Sequence, residues 1–115
     1  MTKHNDLPYI NHILDAIEDI LNSIGDITKE QFIKNKDIKE ANIRRIEIIG
    51  EATKNMSNSI KEEHPEIKWK EITGARDKMI HNYFGINLDI VWDILKKDLP
   101  ELKKQILKIK QESNN

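Results

Sequence analysis

The 115-residue sequence contains no cysteine, three prolines and four glycines. Without cysteine, neither a disulfide framework nor a thiolate-ligated metal site can form. No run approaches the roughly 20 consecutive apolar residues of a membrane-spanning helix, and the opening MTKHNDLPYI lacks the apolar core of a signal peptide. We therefore expect a cytoplasmic protein without a membrane segment.

Neither sign of charge dominates: charged residues make up 34% of the chain and sum to a formal net charge of −1. This balance argues against a general nucleic-acid coat protein, which would be strongly basic, but leaves room for a local basic patch. Abundant Ile, Leu, Lys and Glu favour helices. The length suits one core rather than two, so we expect a single all-α domain over residues 1–115, with a polar tail at about 111–115.

Apolar residues at intervals of three and four predict a first helix over about residues 6–23, which Gly25 ends. Residues 28–31, TKEQ, have the pattern of a capping box and start a short second helix. A long third helix is predicted over about residues 37–59. Its broad apolar stripe suggests packing on two sides, and Gly50 in its middle would permit a close approach of another helix.

Residues 60–70 are expected to be irregular, because a His-Pro pair interrupts the helical pattern. We interpret Trp69 as the anchor of this segment in the core, with base stacking against RNA as the alternative. The last helical region begins after a cap at Asn87 or Asp89. Its apolar period continues through Pro100, which should kink or split the helix.

Reactive side chains are concentrated in the segment WKEITGARDKMIHNYFG, residues 69–85. On a helix, Asp77 and His81 lie four residues apart on one face, while Arg76 and Tyr83 lie seven apart on another. Arg76 and His81 diverge by roughly 140° on one helix. A second copy of the chain across a twofold axis would therefore bring the arginine of one chain closer to the histidine of the other.

These side chains suit metal-free cleavage of RNA. His81 can exchange protons near neutral pH, and the Arg76 guanidinium can bind a phosphate and stabilise the charge that builds on phosphorus. Asp77 can orient either of them. DNA lacks the 2′-hydroxyl that this route requires. Spacing alone also fits a solvated arginine and a histidine that only caps the helix end, so both interpretations stay open.

The sequence RDKMIHNY, residues 76–83, resembles the R-x4-H-x-Y motif of the HepT-like toxins, which belong to the HEPN superfamily of helical ribonucleases. The segments ANIRRIEIIGEATKNMS (41–57), WKEITGARD (69–77) and IVWDILKKDLPELKKQI (90–106) resemble that family in order and spacing, so the similarity covers residues 9–109. It implies an up-and-down bundle of about five helices that forms a homodimer, with the two motifs meeting in a cleft at the interface.

The resemblance also implies a metal-independent endoribonuclease without cofactor, the toxin of a type II- or type VII-like toxin–antitoxin pair, with tRNA or messenger RNA as substrate. Arg76, His81 and Asp77 would be its catalytic residues. An MntA-like nucleotidyltransferase antitoxin would add AMP to Tyr83, which would block the cleft and repel RNA. Two alternatives are a non-catalytic HEPN dimer that binds a nucleotidyltransferase partner and a purely structural dimer.

Three lysines are candidates for RNA contact: Lys78 in the motif segment, and Lys96 and Lys97 at the start of the most basic stretch. Residues 96–110 hold six lysines against two acids, which suits phosphate binding or plain solubility. His12 is interpreted as a half-buried surface residue beside the first apolar stripe, with a second active-site histidine as the alternative.

Glu47 and Glu51 lie four residues apart in the third helix, a spacing found in helix-bundle metal sites. The chain has no Glu-x-x-His or His-x-x-x-His pattern, so a metal site has little support. We expect instead a charge network with Arg44 at a surface or interface. In the fold that the resemblance implies, Glu51 reaches toward Arg76.

Overall fold

The structure is a computed structural model that describes residues 5–81 and 85–113, without the side chains of residues 80, 81 and 113. All regular secondary structure in these ranges is helical, which confirms the all-α class. None of the described helices is both long and apolar enough to cross a membrane. The elements are α1 (Leu7–Ile24), α2 (Lys29–Lys34), α3 (Lys36–Asn55), α4 (Asn58–Glu63), α5 (Trp69–His81), α6 (Leu88–Asp93), a π-helical turn (Ile94–Asp98) and α7 (Leu99–Ser113).

Helix α3 lies at the centre of the bundle and packs against α1 on one side and α5 on the other, as its broad apolar stripe predicts. Helix α7 covers another side of α1. The core is built mainly from isoleucines, because each helix presents its apolar stripe inward. Its members include Ile10, Ile13, Ile17, Ile20 and Ile24 of α1, Ile43, Ile46 and Ile49 of α3, and Leu102, Ile106 and Ile109 of α7.

The third helix ends earlier than predicted, at Asn55, and α4 occupies part of the segment expected to be irregular. The break is fixed at Ser57, whose hydroxyl oxygen accepts a hydrogen bond from the backbone N–H of Ile60. The backbone N–H and hydroxyl of Ser57 in turn donate to the two carboxylate oxygens of Asp6, at 2.8 and 2.6 Å. A partner 51 residues away in sequence thus holds the residue that caps α4, a helix that local periodicity did not predict.

Two predicted helix caps are confirmed. The Thr28 hydroxyl accepts from the backbone N–H of Gln31, and the Gln31 side chain accepts from the backbone N–H of Thr28, which completes the capping box. The Asn87 side chain accepts from the backbone N–H groups of Asp89 and Ile90 at the start of α6.

The predicted interruption near Pro100 is also confirmed. Proline has no backbone N–H, and its ring clashes with the carbonyl four residues earlier in a regular α-helix. The chain relieves this clash with the π-helical turn before α7, where the N–H of Leu99 bonds to the carbonyl of Ile94, five residues back. Helices α6 and α7 are therefore two separate α-helices joined by this turn.

Trp69 anchors the segment before α5, as interpreted from the sequence. Only 9% of the residue is exposed, and its indole N–H donates to the carbonyl oxygen of His64 at 2.9 Å. The His64 imidazole lies 3.3 Å from Glu66 and 3.5 Å from Glu112 of α7. These contacts tie the segment to the core and to the end of α7, so the indole is poorly placed to stack on a base.

Candidate functional site

The position of Arg76 is set by the close crossing of α3 and α5. A Cβ atom added at Gly50 of α3 would overlap the Cβ of Arg76. Glycine is required here because only its lack of a side chain lets the two helices approach this closely. The packing role suggested for Gly50 is therefore confirmed, and the same contact brings Arg76 to the surface of α3.

The Arg76 guanidinium is held between two carboxylates. Its Nη2 atom lies 3.0 Å from Oε2 of Glu51, and its Nη1 atom lies 2.9 Å from Oδ1 of Asp77. The expected reach of Glu51 toward Arg76 is confirmed. The hydrogen bond to Asp77 raises the pKa of Arg76 above its ordinary value, and the charge of Glu51 adds to this effect. Arg76 is thus a permanent positive charge with a fixed orientation.

Arg76 forms one wall of an open cavity of about 370 Å³ between α1, α3 and α5, which we call the Arg76 pocket. Tyr9 and His12 line it from α1, and Arg44, Glu47 and Glu51 line it from α3. The Arg44 guanidinium donates to the Glu47 carboxylate at 3.0 Å, so the expected charge network on α3 is present. The pocket therefore contains two arginines, each paired with a glutamate of α3.

His12 differs from its prediction as a half-buried residue, because the structure leaves it exposed. It faces the Arg76 pocket from α1, on the opposite side from α5. Within the part of the chain that the structure describes, its imidazole forms no hydrogen bond or ion pair. The apolar stripe of α1 predicts that His12 lies beside the buried face of that helix. It does not predict that Arg76 of α5 lines the same cavity.

The three candidate RNA-contacting lysines do not lie with Arg76. Lys78 and Lys97 line a larger groove of about 890 Å³ between α5 and the α6–α7 region, on the other side of α5. Lys96 lies with its Nζ atom 5.4 Å from the ring centre of Trp92. We call the larger cavity the lysine groove; the charged residues that line it are Lys68, Lys70, Lys78, Lys97, Glu66, Glu71, Asp98 and Glu101.

Two residues of the motif remain sequence predictions. Helix α5 carries the backbone of His81 at its last described position, while the His81 side chain and the whole of Tyr83 lie outside the described residues. Among the residues that are described, no group of three or more His, Asp or Glu side chains is placed to hold a metal ion.

The sequence model of the family described as Ribonuclease HepT-like matches residues 13–109. The chain belongs to the HepT-like ribonuclease family. A Caldanaerobacter subterraneus subsp. tengcongensis protein named "Putative RNase" is 44% identical over 104 residues, which cover 90% of this chain and 93% of that protein. A Thermococcus cleftensis protein named "Probable ribonuclease HepT" is 41% identical over 109 residues, 95% of this chain and 99% of that protein.

A Methanocaldococcus jannaschii protein named "Gamma-glutamylcyclotransferase and putative RNase" is 47% identical over 104 residues. These cover 90% of this chain but 47% of that protein, so the HepT-like chain spans about half of this relative. No solved structure matches the chain.

Sequence reasoning missed part of the surroundings of Arg76 in this HepT-like chain. No sequence pattern distinguishes Tyr9, and the sequence predicts Arg44 only in a charge network on α3, without a link to Arg76. Helical spacing already puts Tyr9 and His12 on one face of α1, and Arg44 and Glu51 on one face of α3. That both faces border Arg76 depends on how the helices cross, which spacing does not determine.

Proposed function

We propose that this HepT-like chain is a metal-independent endoribonuclease, the toxin of a type II- or type VII-like toxin–antitoxin pair. The observation that carries the proposal is the fixed Arg76 guanidinium at the wall of an open pocket. The pocket volume falls in the range of about 300–1,000 Å³ that is usual for ligand sites. The motif places His81 five residues further along α5, at the end of the same helix.

Arg76 and His81 have complementary roles in the proposed reaction. The 2′-oxygen of the RNA loses its proton and bonds to the adjacent phosphorus, while the bond from phosphorus to the 5′-oxygen breaks and that oxygen gains a proton. His81 transfers a proton at the 2′-oxygen or the 5′-oxygen. Arg76 stabilises the negative charge that develops on the phosphate oxygens. Asp77 positions Arg76, a role supported by their 2.9 Å hydrogen bond.

We further propose a homodimer in which the motifs of two chains share one cleft. Helix α5 packs chiefly on α3, and its other side borders the lysine groove. Apolar residues of this groove include Ile90, a residue that is 56% exposed in the single chain. A second copy would cover this apolar surface. For the two motifs to share one cleft, the partner's motif must also reach the side of α5 that carries Arg76. Sedimentation of the purified protein would measure the assembly state.

The proposed partner is an MntA-like nucleotidyltransferase antitoxin that adds AMP to Tyr83. Tyr83 lies two residues beyond His81 in the sequence. A phosphate and an adenosine attached there would add negative charge and bulk beside the proposed site of proton transfer. Expression of the chain alone should arrest growth, and co-expression with such an antitoxin should restore it.

A non-catalytic HEPN dimer that binds a nucleotidyltransferase partner is the second candidate. It is favoured by the charge balance of the Arg76 pocket, where Glu47 and Glu51 offset Arg44 and Arg76. A site that only binds a protein can keep both arginines paired with their glutamates. In a nuclease, the substrate phosphate must displace a glutamate from an arginine or share that arginine with it.

The deciding experiment is cleavage of tRNA and messenger RNA by the purified protein in the presence of EDTA. We expect wild type and the exposed α3 control Lys54→Ala to cleave, and Arg76→Ala to lower kcat by about 100-fold or more. His81→Ala should be as inactive, and DNA of the same sequence should stay intact. Intact-mass analysis of the wild-type sample would detect AMP already attached.

Failure of unmodified, dimeric wild-type protein to cleave any of these RNAs would favour the binding module. Cleavage that requires an added metal ion would contradict the proposed mechanism even if both motif variants were inactive.

A further inference from the structure

We infer that His12 and Arg44 form a phosphate-binding subsite in the Arg76 pocket, which holds an RNA phosphate other than the one that is cleaved. The inference rests on the proposed ribonuclease function, since it assigns part of the substrate to this pocket. It adds α1 and the first half of α3 to a site that the motif alone would confine to α5.

The first observation is the arrangement of the Arg44–Glu47 pair. The Arg44 side chain is 69% exposed, whereas that of Glu47 is 17% exposed. The guanidinium therefore lies toward solvent and the carboxylate lies beneath it. An anion that enters the pocket meets the positive partner first, and the hydrogen bond to Glu47 leaves further N–H donors of Arg44 available for a phosphate.

The second observation is the opposite wall. His12 is exposed on α1, faces the same cavity, and has no hydrogen-bond or ion-pair partner among the described residues. An imidazole can donate a hydrogen bond to a phosphate oxygen in either tautomer. His12 and Arg44 thus present donors from two different helices toward one space, next to the Arg76 guanidinium.

The third observation is that the positive and negative side chains of the pocket balance each other. Glu47 offsets Arg44 and Glu51 offsets Arg76, so an RNA phosphate must compete with carboxylates for both guanidinium groups. Removing the charge of Glu47 should therefore strengthen RNA binding, while removing Arg44 should weaken it. Opposite effects from the two members of one ion pair are the signature of a binding role.

A merely structural role for the Arg44–Glu47 pair predicts a different result. The two residues are three apart on one helix, and such an exposed pair adds little to the stability of a helix. Loss of either member would then have the same small destabilising effect. Neither loss would change RNA affinity in a folded protein.

The test is binding of a fluorescent 2′-O-methyl RNA decamer, which cannot be cleaved by this route, to the full chain. Fluorescence anisotropy would compare wild type with Arg44→Ala, His12→Ala and Glu47→Gln, each checked by thermal unfolding. The controls are Lys54→Ala, exposed on α3, and Asn22→Ala, exposed on α1. Neither residue lines the Arg76 pocket.

We expect Arg44→Ala and His12→Ala to weaken binding several-fold, and Arg44→Ala to reduce the slope of affinity against salt concentration by about one counterion. Glu47→Gln should tighten binding, and both controls should match wild type. Shifts of Arg44→Ala and Glu47→Gln in the same direction, or no shift beyond the controls, would overturn the subsite. So would a wild-type chain that does not bind the decamer.

Parallel cleavage of unmodified RNA separates the subsite from the proposed function. If both hold, Arg44→Ala raises KM and leaves kcat close to wild type. If wild type cleaves RNA but the variants bind and cleave as it does, the subsite is wrong and the nuclease stands. If wild type binds the decamer with the expected opposite shifts but cleaves no RNA, the proposed function fails and the phosphate subsite stands.

Discussion

The two cavities that flank α5 hold positive charge in different ways. In the Arg76 pocket, two guanidinium groups are fixed by carboxylates of α3 and α5, and one of them sits at a helix crossing that tolerates no side chain at Gly50. The lysine groove is lined by four lysines and four acids together with apolar residues, and its volume is more than twice that of the Arg76 pocket.

The difference suggests different roles for the two cavities. Stabilising a transition state requires donors that are already oriented, because reorganisation at the moment of reaction costs free energy. The Arg76 pocket meets that requirement. Long lysine side chains balanced by acids suit weak electrostatic attraction or contact with another chain. This contrast supports our proposal that RNA is cleaved at the Arg76 pocket, with the lysine groove as a secondary surface.

The largest expected effect comes from replacing the fixed guanidinium by a mobile charge. Arg76→Lys keeps the positive charge but loses the planar fork that contacts Glu51 and Asp77 together. It should lower kcat for RNA cleavage by about 100-fold. The double variant Lys78→Ala/Lys97→Ala, in the lysine groove, should change kcat/KM by less than about 10-fold. The reverse order of effects in steady-state kinetics would move the site to the groove.

The start of α1, the helix that carries Tyr9 and His12, is bonded through Asp6 to Ser57. Asp6→Ala removes two hydrogen bonds to a carboxylate and should lower the free energy of unfolding by about 1.5–3 kcal/mol. Urea denaturation would measure this. Asp15→Ala, exposed on the same helix, is the matched control and should stay within about 0.5 kcal/mol of wild type. Equal effects of the two variants would mean that the contact does not fix α1.

The close crossing at Arg76 can be tested with two glycines. Gly50→Ala should lower the free energy of unfolding by about 1–3 kcal/mol, because the new methyl group overlaps the Cβ of Arg76. Gly74→Ala adds a methyl group to open space on α5 and should raise that free energy by up to about 1 kcal/mol. Urea unfolding of both variants gives the comparison, and a shift of the same sign in both would refute the proposed role of Gly50.

The smallest effect concerns Glu66, at the edge of the lysine groove. A backbone hydrogen bond, followed by the side chain of His64, holds the pKa of Glu66 below its ordinary value of 4.5. A carboxylate whose folded-state pKa is lowered stabilises the protein above its unfolded pKa and loses that contribution as pH falls through the folded value. Glu66→Gln should therefore be less stable than wild type at pH 6 and equal to it in strong acid. If the difference in stability between Glu66→Gln and wild type, measured by urea unfolding, is the same at pH 6 and in strong acid, the ionised Glu66 carboxylate does not stabilise the fold.

Much of the fold follows from local sequence signals, and the site does so only in part. The apolar width of α3, the Thr28 capping box and Pro100 each act within a few residues, so the sequence alone predicts their effects. The helical rotation of about 200° between Arg76 and Lys78 also places them on opposite sides of α5. Sequence spacing gives this rotation, but it does not show which helices border Arg76 and which border Lys78.

Long-range contacts account for what the sequence did not predict. The break at Ser57 depends on Asp6, which lies in a different part of the chain. The exposure of His12 toward Arg76 depends on how α1 and α5 lie against α3. The contact of Glu51 with Arg76 was expected only from the family resemblance, since nothing local connects two residues 25 positions apart.

A map of where RNA contacts the protein would test most directly whether the substrate lies in the Arg76 pocket. A 2′-O-methyl RNA carrying 4-thiouridine can be photocrosslinked to the full chain and the linked peptides identified by mass spectrometry. We expect crosslinks in the peptides that hold Tyr9 and His12, Arg44 and Glu51, and Arg76. Crosslinks confined to the peptides of Lys70, Lys78 and Lys97, with none around the Arg76 pocket, would contradict this expectation.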